Sequence, residues 1–275
     1  MAKRVGIIGC GAIGSSIANA IDKGVVQGIE LLVLFDQIVE KAEALSSQLK
    51  RRAEVAKTFE ELMNDGLDLI VEAASQKAVK DYAIKILNGG VDLMIMSTGA
   101  LLDKVLWEEI NRACERRGRR VFVPSGAIAG IDGLRTAKLD IIHEVILTTK
   151  KSPKALAGAP FFDKASIKPE DIHKEKLLFE GTAQDAVKLF PTNINVAATL
   201  SLAGIGGSKT RVRVIADPKL DINIHEFEVK GSFGSMKVIM KNLPHPENPK
   251  TSYIAVLSAI ETLRSALSSE ARVGT

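Results

Sequence analysis

The sequence predicts an α/β chain in which a doubly wound parallel sheet is followed by a second α+β domain with a mainly antiparallel sheet. Short continuous apolar runs alternate with helix-period segments over roughly the first 120 residues, as expected of parallel strands covered by helices on both faces. The run Arg4–Ile8 leads directly into Gly9-Cys10-Gly11-Ala12-Ile13-Gly14 and then a helical segment. After Pro124 the alternation stops, and apparent strands follow one another across short turns.

The elements follow in order. Strands are expected over 4–8, 30–35, 53–56, 67–71, 91–96 and 120–123. Helices are expected from the glycine loop to about Lys23, then over 38–50, 58–64, 78–87 and 103–117. Six strands match the full Rossmann dinucleotide-binding sheet. Residues 125–137 are rich in Gly and Ala, 140–149 read as a strand, and Pro169-Glu170-Asp171 reads as a helix start within the polar segment 166–177. A helix follows Pro191 over 192–203. Strands at 211–216, 222–230 and 235–241, with turns at Asp217-Pro218 and Gly231-Ser232-Phe233-Gly234, predict an antiparallel meander. From Thr251 to about Ser268, Tyr253, Val256, Leu257, Ile260, Leu263 and Leu267 fall on one helical face. That helix is expected to pack back on the first domain. The expected division is a dinucleotide-binding domain at 1–124, a catalytic and dimerisation domain at 125–249, and a returning helix within 250–275.

Composition excludes some classes. The 37 basic and 33 acidic residues are interspersed, and aromatic residues make up only 4%. A nucleic-acid binder concentrates its cations in a stripe, often with stacking aromatics. The densest basic group, Arg116, Arg117, Arg119 and Arg120, falls where a helix should end, and the helix dipole favours cations there. The two cysteines, Cys10 and Cys114, form neither a CxxC pair nor a zinc spacing. No metal site, nucleic-acid partner or membrane span is expected. Met1 runs straight into a strand, so no signal peptide is expected and the expected location is cytoplasmic.

The glycine loop has the context a dinucleotide site requires: a buried strand before it, a helix after it, and Asp36 at the end of the second strand. Gly9 permits the tight turn, Gly11 lets the backbone approach a pyrophosphate, and Gly14 lets helix and strand pack closely. The N–H groups opening the helix at Ala12 and Ile13 suit phosphate. Asp36 is placed to accept from ribose hydroxyls and to repel a 2′-phosphate, which favours NAD over NADP. Three loops share the carboxyl edge of the sheet: Ala73-Ala74-Ser75, Ser97-Thr98-Gly99-Ala100 and Pro124-Ser125-Gly126-Ala127. Their small residues leave room for the nicotinamide ribose, and they read equally well as plain helix caps.

A dinucleotide domain needs a partner that positions the second substrate. His225 stands out among the four histidines. In the strand from Asp221, side chains alternate, so Asp221, Asn223 and His225 share one face and Ile222 and Ile224 the other. The polar face lines a cleft or faces solvent, and the pattern alone leaves both open. Histidine is the usual acid–base group near neutral pH. Asn193 suits an N-cap and Asn195 the first helical turn. Gly206-Gly207-Ser208-Lys209-Thr210 fails the phosphate-loop pattern and reads as helix termination. Ser208 and Lys209 remain candidates for a carboxylate.

Four segments together carry a resemblance: Gly126-Ala127-Ile128-Ala129-Gly130-Ile131-Asp132-Gly133, Pro191-Thr192-Asn193-Ile194-Asn195-Val196-Ala197, Asn223-Ile224-His225 and Asn248-Pro249-Lys250-Thr251-Ser252. With the glycine loop, the chain resembles the L-aspartate dehydrogenase family along essentially its whole length. The resemblance implies oxidation of L-aspartate to iminoaspartate with NAD, NADP being possible. The imine then hydrolyses to oxaloacetate and ammonia or enters NAD biosynthesis. It also implies a homodimer, with His225 as the active-site histidine and Ala129 and Asn195 at cofactor-contacting positions. Other two-domain reductases fit less well. A homoserine dehydrogenase needs a lysine-centred hydride site, and a dihydrodipicolinate reductase needs paired histidines with a lysine-rich loop. A non-catalytic NAD-binding regulator needs an effector or DNA-binding module, and no segment is spare for one.

Overall fold

The computed structural model describes residues 2–64, 66–191, 195–246 and 248–267. The chain forms two compact units, one comprising the chain to Pro124 and again from Val256, the other running from Ser125 to Ala255.

The first unit contains β1 (Lys3–Ile8), α1 (Ala12–Asp22), β2 (Ile29–Phe35), α2 (Val39–Gln48), β3 (Glu54–Ala56), α3 (Phe59–Met63), β4 (Leu69–Glu72), α4 (Gln76–Asn88), β5 (Asp92–Ile95), α5 (Lys104–Arg117) and β6 (Val121–Phe122). Its six strands are all parallel, in the order β3-β2-β1-β4-β5-β6. The order reverses between β1 and β4, and ligands bind at that switch point in doubly wound sheets. Val5, Ile7, Leu34, Leu69, Val71 and Met94 from the sheet pack with Ile17 and Ala18 of α1 and Leu45 of α2. Each large aliphatic so buried stabilises by about 1.5–3 kcal/mol over an exposed one. The arginine-rich end of α5 is a true helix end, closed by Gly118 at φ 61°. Arg120 turns onto the buried Asp92 carboxylate through Nε at 3.0 Å and Nη2 at 2.8 Å.

The second unit contains α6 (Ile131–Ala137), β7 (Ile142–Lys151), α7 (Pro153–Leu156), α8 (Pro160–Ala165), β8 (Lys176–Thr182), α9 (Ala183–Leu189), α10 (Asn195–Ala203), β9 (Arg211–Ala216), β10 (Asn223–Gly231), β11 (Gly234–Asn242), β12 (Pro244–His245) and β13 (Asn248–Ser252). The five-stranded sheet runs β11-β10-β7-β9-β8. It is antiparallel except where β7 and β9 run parallel.

This order corrects the expected meander. β10 and β11 do form the hairpin across Gly231–Gly234. β9 does not pair with β10, because β7 lies between them. The long β7 buries Val145, Leu147 and Thr149 and so belongs at the sheet centre. The six residues 217–222 can span the roughly 10 Å across one intervening strand. Asp217 N–H donates to the carbonyl of Lys151, at the end of β7, at 2.9 Å as the chain crosses. The helix start at Pro169 yields only a 3₁₀ turn, Pro169–Asp171, and β8 was not anticipated. The Gly/Ala segment after Pro124 contains a short helix, α6.

The last helix, α11 (Tyr253–Leu267), brings Ala259, Leu263 and Ala266 into the core of the first unit. Its buried line is Val256, Ala259, Leu263 and Ala266, whereas Tyr253 and Leu257 are exposed. The expected stripe weighted large side chains and missed the alanines, whose small size lets a helix approach closely. Among the described residues, no helix is long and apolar enough to cross a membrane.

Candidate functional site

The glycine loop leaves β1 at the switch point. Gly9 N–H donates to the carbonyl of Phe35 at the end of β2, and Ala73 N–H to that of Ile8, both at 2.8 Å. The three glycines differ in what surrounds them. At Gly9, with φ +97°, a Cβ would lie 2.7 Å from the backbone of Ala74. At Gly14 it would run into the carbonyl oxygen of Gly9. At Gly11 nothing lies within 4 Å. Two glycines therefore close the turn, and the third leaves a space. Gly11 is the N-cap of α1, no side chain caps the helix, and its first turn carries no acid. The N–H groups at Ala12 and Ile13 thus face an uncapped helix start, which attracts phosphate.

Asp36 is half-buried and accepts from Cys10 N–H at 2.8 Å and Ile38 N–H at 2.9 Å. The two bonds fix the carboxylate beside the loop, and each oxygen keeps a second lone pair for a hydroxyl. A cleft of about 240 Å³ opens between Gly9, Gly11, Asp36, Lys41, Ala74 and Tyr82. A void at Gly11, an uncapped helix and a fixed carboxylate fit an adenine dinucleotide. Burial, reinforced by the Asp36 charge, pushes the Cys10 thiol up to about 12, so it is an inert neighbour.

Ala73 and Ala74 border this cleft. Ser97, Thr98 and Gly99 are buried, with Thr98 opening the 3₁₀ turn Thr98–Leu102. Both loops are tied to Glu72, a residue that no sequence motif singles out. Its side chain is buried at the end of β4 and accepts from Ala74 N–H, Ser75 N–H, Ser97 N–H and Ser97 Oγ at 2.9–3.0 Å. Burial pushes this carboxyl above its usual range, while the four donors pull it back toward the carboxylate. The available signal was an acid closing an otherwise apolar strand, Leu69-Ile70-Val71-Glu72. Glu72→Gln would set an amide N–H₂ against a donor and leave it unsatisfied, costing about 1–3 kcal/mol. Calorimetry should show a Tm lower by several degrees, and an NADH titration should show weaker binding.

In the second unit the alternation along β10 holds, but the sides are reversed. Asn223, His225, Phe227 and Val229 face the core, while Ile222 and Ile224 are half-exposed. Asp221 is exposed and precedes the strand. Phe227 and Val229 share the parity of His225, and their large apolar side chains decide which face is buried. His225 is 1% exposed and sits in register with Thr149 of β7, whose Oγ1 lies 3.1 Å from Nδ1. Lys151, two residues along β7, is also buried. Burial and the nearby Lys151 charge push the His225 imidazole down to about 3. Burial pushes the Lys151 ammonium down to about 8. Lys151 lies outside the residues that the sequence motifs single out. Its signal was the buried parity Val145, Leu147, Thr149, Lys151.

Asn242, at the end of β11, pairs in register with Asn223 and donates through Nδ2 to the Ala127 carbonyl at 2.9 Å. This bond holds the Gly/Ala loop, with exposed Ala129, at the same end of the sheet as His225. Asn195 opens α10 and is half-buried. Asn193 lies outside the described residues. Ser208 and Lys209 are exposed in the turn before β9. Arg211 pairs with Ile146, whereas His225 pairs with Thr149, so Lys209 lies about 10 Å or more from His225 along the sheet. His143 and His173 are exposed, and buried His245 packs near Tyr253.

Residues 9–124 match the family described as homoserine dehydrogenase, NAD binding domain, and residues 132–266 match aspartate dehydrogenase, C-terminal. The chain is 51% identical to the L-aspartate dehydrogenase of Methanosarcina barkeri, covering 96% of this chain and 97% of that one. It is 43% identical to the L-aspartate dehydrogenase of Nitrosopumilus maritimus, over 99% of this chain and all of the other. The solved structure of aspartate dehydrogenase from Thermotoga maritima superposes with a TM-score of 0.76 at 30% identity, covering 99% of this chain and 100% of that one. The chain belongs to the L-aspartate dehydrogenase family of nicotinamide-dependent oxidoreductases.

Proposed function

We propose that this chain oxidises L-aspartate to iminoaspartate, with residues 1–124 holding the dinucleotide and residues 125–249 carrying the catalytic and dimerisation role. The observation that carries this reading is the buried His225–Thr149 pair beside Lys151, in a chain whose first unit bears the glycine loop. Bound dinucleotide supplies a hydride acceptor. Gly9, Gly11, Ala12, Ile13 and Gly14 cradle its phosphates, and Asp36 takes its adenosine ribose. Ala73, Ala74, Ser97, Thr98 and Gly99, in the loops that follow β4 and β5, would hold its nicotinamide half, and Ala129 and Asn195 are the second unit's own candidates for cofactor contact. Asp36 favours NAD, and Lys41 on the same cleft offers a cation for the 2′-phosphate of NADP.

The substrate amine must be neutral before hydride leaves the α-carbon. In the tautomer whose Nδ1–H donates to Thr149 Oγ1, His225 presents an unprotonated Nε2, and its lowered pKa keeps it neutral at neutral pH. Nε2 takes a proton from the substrate ammonium and passes it to solvent; once free again, the same atom takes a proton from the water that adds to the imine carbon, and the adduct loses ammonia to leave oxaloacetate. Passage of the imine into pyridine-nucleotide synthesis is the other outcome. The reading extends to a cytoplasmic homodimer, for which half-exposed Ile239 on the second sheet offers apolar surface.

Initial rates of NADH formation test the reaction. L-aspartate with NAD should give rates far above homoserine or buffer alone. Equal rates with all three would refute it.

A further inference from the structure

Aspartate carries two carboxylates, and a site that takes it needs cations or donors facing them. On the sheet that carries His225, two observations bear on this. Lys151 is 2% exposed, on the last residue of β7, with its side chain on the His225 face. Its charge is close enough to act on the imidazole. Asn223 is 1% exposed, and its Nδ2 is a buried donor with no hydrogen-bond partner. The β7–β10 register pairs Ile224 with Lys150 and His225 with Thr149. One further antiparallel step sets Asn223 across from Lys151, at about 5 Å between Cβ atoms.

We propose that Lys151 is a substrate-binding residue whose ammonium, with the Asn223 amide beside it, takes a carboxylate of the amino-dicarboxylate next to His225. The proposal rests on the aspartate-oxidising reading. An ammonium and an amide N–H₂ both donate, and the two oxygens of a carboxylate can accept from both at once. The orphaned Asn223 Nδ2 costs stability unless a ligand meets it. Both groups sit on paired strands, which position more rigidly than the exposed turn carrying Lys209. The carboxylate charge also offsets that of Lys151 beside the imidazole, so substrate binding readies His225 to accept its proton.

Lys151→Met tests this, with Lys151→Gln as the second variant. Five quantities are read: succinate affinity of the NADH-saturated enzyme and NADH affinity, both by calorimetry, KM and kcat for L-aspartate, and Tm. Succinate affinity should fall and KM rise by about 50-fold or more. NADH affinity should be unchanged and kcat should change by less than about fivefold. Methionine keeps much of the lysine side-chain volume, so the Tm change of Lys151→Met should be small beside its loss of succinate affinity. Succinate binding within about twofold of wild type in both variants overturns the proposal. So does a Tm loss that tracks the binding loss in both, the signature of a structural lysine. If the wild type fails to oxidise L-aspartate, the function reading falls alone, because succinate binding still decides the role of Lys151. A wild type that binds no succinate overturns the proposal as well.

Discussion

His225→Gln is expected to lower kcat for L-aspartate oxidation by about 10²–10⁴-fold, the usual contribution of a positioned proton acceptor. Glutamine keeps much of the volume in a site only 1% exposed and can still hydrogen-bond Thr149, but it has no basic nitrogen. NADH affinity should be unchanged, because the substitution leaves untouched the glycine loop and Asp36 that hold the phosphates and ribose. Near wild-type turnover would remove His225 from the chemistry. The same variant has a thermodynamic signature. The imidazole is pushed from 6.5 down to about 3 in the folded chain, by burial first and the Lys151 charge second. Between those pH values the unfolded chain binds the proton and the folded chain does not, so stability falls as pH drops through that window. His225→Gln removes this contribution. Its Tm should therefore fall less than that of the wild type between pH 6.5 and pH 3. Parallel Tm profiles would show that the imidazole is not held neutral.

How much of this was legible in the sequence depends on how local each feature is. The glycine loop, the strand before it and Asp36 lie within a short stretch, and each has a spacing rule. The six parallel strands were readable for a similar reason, since buried strands between helices leave continuous apolar runs. Glu72 escaped because its importance lies in a tertiary fact: donors from two loops converge on it. Lys151 escaped for a related reason. A lysine closing a strand reads as surface, and only the pairing of β7 with both β10 and β9 buries it. The alternation around His225 was correct, but five residues could not say which face was the core. Extending it to Phe227 and Val229 settles the side. The meander failed because adjacency in sequence does not reveal that the earlier β7 inserts between β9 and β10.

The second large effect separates two glycines that a motif treats alike. Gly14→Ala should destabilise the first unit by about 3 kcal/mol or more, because its Cβ would overlap the Gly9 carbonyl and neither backbone segment can yield cheaply. Calorimetry should show a Tm lower by on the order of 10 °C. Gly11→Val should behave oppositely. Gly11 has φ −78° and ψ −169°, an extended conformation open to any residue, and no atom lies within 4 Å of its would-be Cβ. The folded chain should therefore accept valine with little change in Tm. The isopropyl group would instead fill the space beside the uncapped start of α1, where the pyrophosphate must approach. Losing two charge-assisted hydrogen bonds there weakens NADH binding on the order of 100-fold or more. Fluorescence titration beside thermal melting distinguishes the two. If Gly11→Val binds NADH as wild type does, the void at Gly11 is not the phosphate site. If it melts as early as Gly14→Ala, the loop has no spare space and both glycines are structural. Only the combination of an intact fold and lost binding at Gly11, with a lost fold at Gly14, fits a loop in which two glycines shape the turn and the third makes room for the dinucleotide.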